Sequence, residues 1–447
     1  MQVTAPKKVI NSWAMYDWAN SVYNLVITTT FFPIYFLAVT NKPEWNNGDA
    51  VPFLGMKFIN SSLYDYCIAF AYFIIALTYP ILTSIADTRG NKKNFLKFFC
   101  YMGAIGCSSL YFFQGDILWL GILGLILGAM GYAGGLVFYN AYLPEIAAPE
   151  DRDRISAKGF SMGYIGSVIL QLIGFGLVLG MAGNEGQATR ITFLLVGIWW
   201  VSFAQITFRG LPRFDRKEAK KVNVFTEGFA EIKKVYQEVK HLPVLKRFIR
   251  AFFFYSMGVQ TVMIAATQFG SKTLELPDSM LIVTVVIIQV VAIAGAFFMS
   301  RMSQKFGNIP VLMAVVIFWI AVCFAAYFTA RHKEMGGNAE MPFYGLAIAV
   351  GFVMGGVQSL SRSTFSKLMP ETKDTASFFT YYDFTEKIAI VIGVFVFGMM
   401  HEYTEHHGGI KNSLLSLVVF FFIGLIWLYA ANKKQQQLRA GEDLVRE

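Results

Sequence analysis

Long apolar stretches dominate the chain, and short charged segments separate them. Eleven of these stretches have 18 residues or more and contain no Asp, Glu, Lys or Arg: 18–41, 66–86, 98–115, 117–144, 159–184, 191–208, 251–271, 279–300, 306–330, 341–361 and 412–432. As a helix, about 20 apolar residues cross the roughly 30 Å hydrocarbon core of a bilayer. Only helices and closed barrels satisfy every backbone N–H and C=O group in lipid, and these runs are too long for barrel strands. The pattern therefore predicts membrane-spanning helices.

A twelfth stretch, 375–400, has the same apolar character but carries Asp383, Glu386 and Lys387. A charge at mid-membrane costs at least about 2.5–3.5 kcal/mol on insertion scales, so such residues need partners and mark functional sites. With this stretch included, the sequence predicts an all-α integral membrane protein with twelve transmembrane helices.

The spans divide into two sets of six around the longest polar segment. We therefore expect two pseudo-symmetric six-helix bundles, 1–208 and 251–447, the second ending in a short tail, with a cytoplasmic linker, 209–250, between them. A Pro-Glu pair follows the predicted fourth and tenth spans, at Glu145 and Glu371, which supports an internal repeat. Paired halves with a long connecting loop are typical of alternating-access carriers.

The linker contains a periodic apolar pattern. Five apolar residues recur in it at alternating spacings of four and three: Phe225, Phe229, Ile232, Tyr236 and Val239. This spacing predicts one face of an amphipathic helix, which Pro243 would end. We expect the helix to lie on the inner membrane surface with its lysines toward anionic headgroups. A plain solvated linker is the alternative.

The chain has 447 residues, is 55% hydrophobic and carries a net charge of +9. If the N-terminus is cytoplasmic, the predicted cytoplasmic segments hold most of the 38 Lys and Arg residues. This bias is a topology signal rather than a sign of nucleic-acid binding. It places both termini in the cytoplasm, and we expect a plasma membrane, with a bacterial inner membrane first. All four cysteines lie within predicted spans, which excludes an extracellular disulfide framework.

Several motifs resemble those of one superfamily of carriers. The segment 87–93 (DTRGNKK), after the second span, resembles the loop 2–3 signature of the major facilitator superfamily. More specific motifs resemble its vacuolar amino-acid effluxer-like branch, named for autophagy-related protein 22 and its bacterial relatives: 13–21 (WAMYDWANS), 139–145 (YNAYLPE), 163–166 (GYIG) and 355–363 (GGVQSLSRS). They occur in the family's order over nearly the whole chain.

The resemblance implies a secondary active transporter that works by alternating access. Its implied substrate is a small polar or zwitterionic solute, with amino acids or small peptides first and export as one direction. It also places Tyr164, Gln260 and Gln358, from motifs in spans 5, 7 and 10, at the substrate or coupling site. A lipid or lysolipid transporter, and a transporter-like sensor that binds without translocation, are the alternatives.

Polar residues recur on one side of the first span. Asp17, Asn20 and Asn24 are spaced at i, i+3 and i+7 on an otherwise apolar helix. Such a stripe is too costly to face lipid, so it faces a water-filled cavity or a neighbouring helix. We expect it to contribute to the substrate site, and interhelical hydrogen bonding is the alternative.

The charges of the twelfth stretch form a candidate site. Lys387 would lie roughly 16 Å into its span, at about 1.5 Å per residue, and needs an anionic partner. Asp383, one turn earlier, can supply it. The pair is either structural, or it opens to bind a zwitterion or to carry coupled protons. Glu386 points about 100° away from Lys387 and is expected to pair with Arg362 or with another group near the inner gate.

The loop after the second span is expected to belong to a gate. Asp87 would lie near the N-terminus of a helix from the other half, where a carboxylate stabilises one conformation and is released in the other. The alternative is that these charges only set topology. The complete set of expected gating residues is Asp87, Arg89, Glu145, Arg362 and Glu386.

Motifs for catalysis are missing from the sequence, so we do not expect an enzyme. It contains no P-loop lysine motif, nucleophile elbow or cysteine cluster. The run 401–407 lacks the second histidine of a zinc-binding HEXXH helix, and no metal or other cofactor is expected. The expected partners are a small-molecule substrate, anionic inner-leaflet lipid and, as a candidate coupling ion, the proton. We expect a monomer that does not bind nucleic acid.

Overall fold

The computed structural model describes residues 3–89, 91–213, 224–404 and 409–446, and long helices account for nearly all of them. The first half contains α1 (Lys7–Val22), which continues through a π-helical stretch (Tyr23–Phe31) into α2 (Phe32–Thr40), then α3 (Asn60–Arg89), α4 (Lys92–Ser109), α5 (Leu118–Ala141), the short α6 (Leu143–Ile146), α7 (Arg152–Gly180) and α8 (Glu185–Gly210). A small antiparallel hairpin, β1 (Val51–Phe53) and β2 (Met56–Phe58), lies between α2 and α3, with Val51 opposite Phe58.

The second half repeats the all-helical architecture after a connecting helix, α9 (Val224–His241). It contains α10 (Pro243–Gln268), extended by a π-helical turn (Phe269–Thr273), then α11 (Asp278–Phe306), α12 (Asn308–Glu334), α13 (Glu340–Leu368), α14 (Thr375–Thr404) and α15 (Gly409–Arg446). The segment 401–404, which begins the histidine-rich run 401–407, is the last turn of α14, and 405–408 lies outside the described residues.

Ten helical segments within the described ranges are long and apolar enough to cross a membrane. Two further long helices, α10 with 26 residues and α14 with 30, are not among these segments. Both pack against α15 in the same bundle. A count of twelve spans therefore remains a prediction.

Glycines set the close packing of neighbouring helices. A Cβ atom on Gly131 of α5 would collide with the backbone of Gly103 of α4. In the second half, a Cβ on Gly355 of α13 would collide with the backbone of Ala292 of α11. Small residues let helix backbones approach each other, which supplies van der Waals contact where lipid offers no hydrophobic driving force.

Both termini lie on one side of the bundle, here called the terminal side. The Ala5 N–H donates to the Ile146 carbonyl at 2.9 Å, next to the start of α7. The first residue of α12, Asn308, also lies on this side, because its amide contacts Asp153 at the start of α7. The opposite ends of α12 and α15 are joined on the other side, the far side, by the ion pair of Glu334 and Lys411.

The connecting helix α9 packs against the protein rather than lying apart from it. It contacts α3 of the first half and α14 of the second. Val235 and Val239 are buried, and the Lys234 ammonium lies 3.1 Å from the Asp374 carboxylate. Tyr236, expected on the apolar face, is 51% exposed. The expectation fails at Tyr236 because contact with α3 and α14 selects the neighbouring Val235 as the buried position.

The topology can be tested by labelling single cysteines with a membrane-impermeant maleimide. Asn47 is exposed beyond the end of α2 on the far side, and Lys240 is exposed on α9 at the terminal side. We expect Asn47→Cys to label only from outside the cell and Lys240→Cys only from the cytoplasm. The four native cysteines, all buried, would first be replaced by alanine. Labelling of both sites from the same side would contradict the topology.

Candidate functional site

A cavity of about 180 Å³ lies between the two halves. Helices α1, α3, α5 and α7 line it from the first half, and α10, α13 and α14 line it from the second. Its charged and amide-bearing lining residues are Asp17, Asn24, Asn140, Gln260, Gln358, Arg362, Asp383, Glu386 and Lys387. Three carboxylates and two cations therefore face one small space between the halves.

The charges of α14 meet at one wall of this cavity. The Lys387 ammonium lies 3.7 Å from a carboxylate oxygen of Asp383 and 3.8 Å from one of Glu386. It also lies 5.2 Å from the centre of the Tyr72 ring, where the face of the ring attracts a cation. The predicted pair of Asp383 and Lys387 is present, but Lys387 shares its charge between two carboxylates.

Arg362 has a different partner from the one expected. Its guanidinium lies 3.3 Å from the Asp17 carboxylate in the other half, and it also donates to Asn140 at 3.2 Å. Of the two alternatives expected for Glu386, the pair with Arg362 is not formed, and another group takes its place: Glu386 accepts a hydrogen bond from Gln260 at 3.1 Å. The reason is that the Arg362 side chain extends from α13 into the first half, whereas Glu386 stays at the α14 wall.

Aromatic rings complete the environment of Arg362. Its guanidinium carbon lies 4.2 Å from the ring centre of Phe160, 4.9 Å from that of Trp13 and 5.4 Å from that of Tyr139. A cation desolvated against aromatic faces is attracted by their quadrupoles. Gly159 makes room for the group, because a Cβ there would lie 2.9 Å from an Arg362 nitrogen. Arg362 thus connects the two halves at the terminal end of the cavity.

The polar stripe of the first span, Asp17 and Asn20 in α1 and Asn24 in the π-helical stretch, is only partly in the cavity. Asp17 and Asn24 line it, whereas Asn20 does not and is fully buried. Both polar side-chain atoms of Asn20 lack a hydrogen-bond partner among the described residues. At about 100° per residue, position i+7 returns to within about 20° of Asp17, whereas i+3 lies roughly 60° away. The expectation that Asn20 faces the solute is therefore not met.

The three residues expected from family motifs lie close together. Gln260 and Gln358 line the cavity, and Tyr164 stands behind Gln358, to which its hydroxyl donates at 2.6 Å. Sequence reasoning missed several aromatic lining residues, including Tyr72 and Tyr132. Both lie within apolar runs of the sequence, where a tyrosine that lines a cavity cannot be distinguished from one in the core or at the membrane interface. Only the packing of the folded chain identifies them as lining residues.

On the terminal side, one cluster joins the end of α3 and the start of α4 to the start of α14. The Asp87 carboxylate accepts hydrogen bonds from the backbone N–H groups of Ala376 at 3.2 Å and Ser377 at 2.8 Å. A carboxylate at this position satisfies free N–H groups and the positive end of the helix dipole. Lys92 lies 3.2 Å from Asp87 and also pairs with Glu145. We call these residues the Asp87 cluster; the Arg89 side chain lies outside the described residues.

In a second terminal-side cluster, the Asp153 cluster, a carboxylate of the first half again accepts hydrogen bonds from the second half. The Asp153 carboxylate stands in the first turn of α7 and is fully buried. It accepts from Ser303 at 2.8 Å, from Asn308 at 2.6 Å and from Lys367 at 2.5 Å, all in the second half. The sequence shows Asp153 only within a charged run before a span, and such a run is usually a topology signal. Together, the two clusters and Arg362 hold the halves together on the terminal side.

Comparison with known proteins identifies the family. A family model described as "Vacuole effluxer Atg22 like" matches residues 5–441. The chain belongs to this family. A relative in Bacillus subtilis, an uncharacterized MFS-type transporter called YxiO, is 30% identical over 426 residues, which is 94% of this chain and 93% of the relative. Autophagy-related protein 22-2 of Aspergillus oryzae is 24% identical over 90% of this chain and 80% of its own length.

Solved structures confirm the fold of this Atg22-like chain. The human organic anion transporter MFSD10 superposes with a TM-score of 0.69 at 10% identity, over 95% of this chain and all of that one. The Escherichia coli fucose:proton symporter FucP gives 0.66 at 15% identity, over 95% and 97%. The predicted all-α membrane fold of the major facilitator superfamily is therefore confirmed, and the chain is an MFS-type transporter. Within the described residues, no group of three His, Cys, Asp or Glu side chains is placed to hold a metal ion.

Proposed function

We propose that this protein is a secondary active transporter of small zwitterionic solutes, neutral amino acids first, and that it works by alternating access. The observation that carries the proposal is the cavity between the halves, in which a cation and carboxylates stand side by side on α14. Its volume of about 180 Å³ is below the roughly 300–1,000 Å³ typical of pockets for drug-sized ligands. The cavity thus suits a small solute.

Lys387 is the candidate ligand for the solute's carboxylate. Its distances to Asp383 and Glu386, 3.7 and 3.8 Å, are longer than hydrogen bonds, so its ammonium keeps donors for a ligand. Glu386 is the candidate ligand for the solute's ammonium, because its side chain is 22% exposed and Gln260 orients it. The tyrosines of the cavity would cover the apolar part of the solute.

The terminal-side contacts support a cycle in which the halves separate there. For the cavity to open on that side, Asp87 must leave the N-terminus of α14, Asp153 must leave its three donors, and Arg362 must leave Asp17. Because all three contacts join opposite halves, they stabilise one conformation and not the other. We assign the terminal side to the cytoplasm on the charge bias of the sequence.

Counterflow in proteoliposomes tests this proposal. Vesicles loaded with an unlabelled mixture of neutral protein amino acids are expected to take up the radiolabelled mixture, because exchange needs no ion gradient. Empty liposomes and protein bearing Lys387→Met are the controls. Stabilisation of the purified protein by the mixture without any counterflow would favour a sensor. Stabilisation by lysophosphatidylcholine and not by the mixture would contradict the substrate class.

Asp87→Asn is expected to slow counterflow at least about tenfold and to lower the melting temperature less than Arg362→Met does, because Lys92 keeps Glu145 as its partner. The substitution weakens charge-assisted hydrogen bonds that exist only when the terminal side is closed, and such bonds contribute about 1.5–3 kcal/mol each. The matched control is Asp151→Asn, because Asp151 contacts Thr4 and Arg154 of its own half. Counterflow of Asp87→Asn at the wild-type rate would exclude a gating role for the Asp87 cluster.

A further inference from the structure

The hairpin between α2 and α3 has one apolar face and one polar face. Side chains that pair across two antiparallel strands lie on the same face, and one face of this hairpin carries only apolar residues: Val51, Phe53, Met56 and Phe58. The other face carries Pro52 opposite Lys57. An isolated two-stranded hairpin is marginally stable in water, so the apolar face needs an apolar surface against it.

The protein covers only the base of this apolar face. Val51 is fully buried, and the ring centre of Phe58 lies 6.1 Å from that of Tyr66 on α3. Nearer the turn, Met56 is 59% exposed, and Leu54 in the turn itself is 82% exposed. The tip of the hairpin, Leu54 and Met56, therefore presents apolar side chains that the rest of the chain does not cover.

The turn of the hairpin contains a leucine where a polar residue is favoured. Leu54 and Gly55 both have positive φ angles, 48° and 78°. Turns with this backbone favour Asn-Gly or Asp-Gly, because a bulky side chain is strained at positive φ. In water, Leu54 would be unfavourable both for its backbone conformation and for its exposed apolar side chain. A strained residue of this kind indicates a function, and here it places an apolar group at the tip.

The tip is continuous with the lipid-facing surface of α3. Exposed apolar residues recur along this helix at spacings of four, three and four: Tyr66, Phe70, Phe73 and Leu77. They belong to one of the ten segments that are long and apolar enough to cross a membrane. Since Phe58 packs on Tyr66, the first residue of this stripe, the hairpin lies against the lipid side of α3.

The position of the hairpin along the membrane normal fits the interface between lipid and water. The Lys42 ammonium, in the same connection, lies 2.6 Å from the Asp116 carboxylate just before α5. Trp119, in the first turn of α5, is exposed, and tryptophan is enriched where acyl chains meet headgroups. Lys57, exposed on the polar face of the hairpin, can extend its ammonium to the headgroups.

We propose that the hairpin is an interfacial anchor, and that its tip inserts among the acyl chains of the far-side leaflet while Lys57 remains at the headgroups. The partner of this surface is the lipid bilayer. The anchor holds the connection between α2 and α3 on the lipid side of α3, away from the cavity that the same helix lines through Tyr72. This role is separate from the proposed transport of zwitterions and does not depend on the solute.

Fluorescence quenching tests the contact in phosphatidylcholine nanodiscs that each hold one full chain. A nitrobenzoxadiazole probe is attached to Met56→Cys in a background without the four native cysteines. The same probe on Phe70→Cys is the reference for lipid, and on Asn47→Cys the reference for water. Doxyl-labelled phosphatidylcholine is expected to quench the Met56 probe, and iodide to quench it at least about threefold less than the Asn47 probe, because an interfacial segment is buried among headgroups and acyl chains.

Leu54→Asn separates the apolar tip from the shape of the turn. Asparagine suits a positive φ angle, so the hairpin keeps its turn, but the tip loses its apolar group. Iodide quenching of the Met56 probe is expected to rise at least about twofold and doxyl quenching to fall, because a polar tip no longer inserts. The matched control is Leu179→Asn, which changes an equally exposed leucine near the far-side end of α7 and should alter neither value.

Three results would overturn the inference. The first is a Met56 probe that iodide quenches as strongly as the Asn47 probe in single-chain nanodiscs. The second is protection from iodide that appears only in proteoliposomes, as the protein-to-lipid ratio rises; the tip would then bind a second copy of the chain. The third is a Met56 probe that stays equally protected in Leu54→Asn. If Leu54→Asn does not fold, the wild-type chain with its two reference positions still decides.

Discussion

Arg362→Met is expected to abolish counterflow and to destabilise the protein by about 3–5 kcal/mol, the cost of removing one partner from a buried ion pair. The substitution leaves the Asp17 carboxylate buried without its cation, although Tyr139 still donates to it at 2.7 Å. It also removes the hydrogen bonds of Arg362 to Ser156 and Asn140 across the interface between the halves. The readouts are the melting temperature in detergent and counterflow of neutral amino acids.

Two further variants separate charge from shape at this position. Arg362→Met combined with Asp17→Asn is expected to recover most of the lost stability, because both partners of the buried pair are then neutral. It is not expected to recover transport, because the contact that closes the terminal side stays broken. Arg362→Lys keeps the charge but loses the planar group that stacks on Phe160 and Trp13, and should be intermediate in both readouts. Wild-type counterflow in the double variant would show Arg362 to be structural only.

Lys387→Met is expected to remove substrate binding while the protein still folds. A solute carboxylate loses its charge-assisted bonds in a desolvated site, which costs at least about 2 kcal/mol, or roughly 30-fold in affinity. The measurement is the shift in melting temperature that saturating neutral amino acids cause in wild-type protein and in the variant. The unliganded variant should remain folded because Asp383, without its cation, is neutralised by a proton.

The double variant Asp383→Asn with Lys387→Met is the control for this second prediction. It should regain the stability lost in Lys387→Met, because no uncompensated Asp383 remains. It should regain neither substrate-induced stabilisation nor counterflow. A double variant that folds, binds and exchanges normally would contradict a substrate role for Lys387, and the solute's carboxylate would then require another cation.

Local sequence patterns predicted the helices and the charged pair of α14, because both depend on interactions within a single helix. Charge-free runs predict helices because the backbone must bond internally in lipid, and the charges of α14 stand out because they are costly there. Asp383 and Lys387 lie one helical turn apart, so their pairing follows from helix geometry alone. The position of Asp87 near a helix of the other half was expected from its resemblance to a known loop motif, and the structure places it at the N-terminus of α14.

Features that depend on long-range packing could not be predicted in this way. Arg362 and Asp17 are 345 residues apart, and no periodicity indicates which carboxylate an arginine will meet. The Asp153 cluster likewise joins α7 to partners on α11, α12 and α13. Asn20 is buried because it lies roughly 60° around α1 from Asp17, and the spacing i, i+3 and i+7 does not reveal this difference.

The central claim is alternating access, and measuring access to the cavity from each side of the membrane tests it most directly. Ser256 lines the cavity, and Ser256→Cys changes one atom, so it reports access with little disturbance in a background without the four native cysteines. In oriented vesicles, a membrane-impermeant maleimide should label this cysteine from the far side. Adding Asp87→Asn and Asp153→Asn should increase labelling from the terminal side and decrease it from the far side. A cysteine that labels from one side only, at a rate that neither substitution changes, would contradict alternating access.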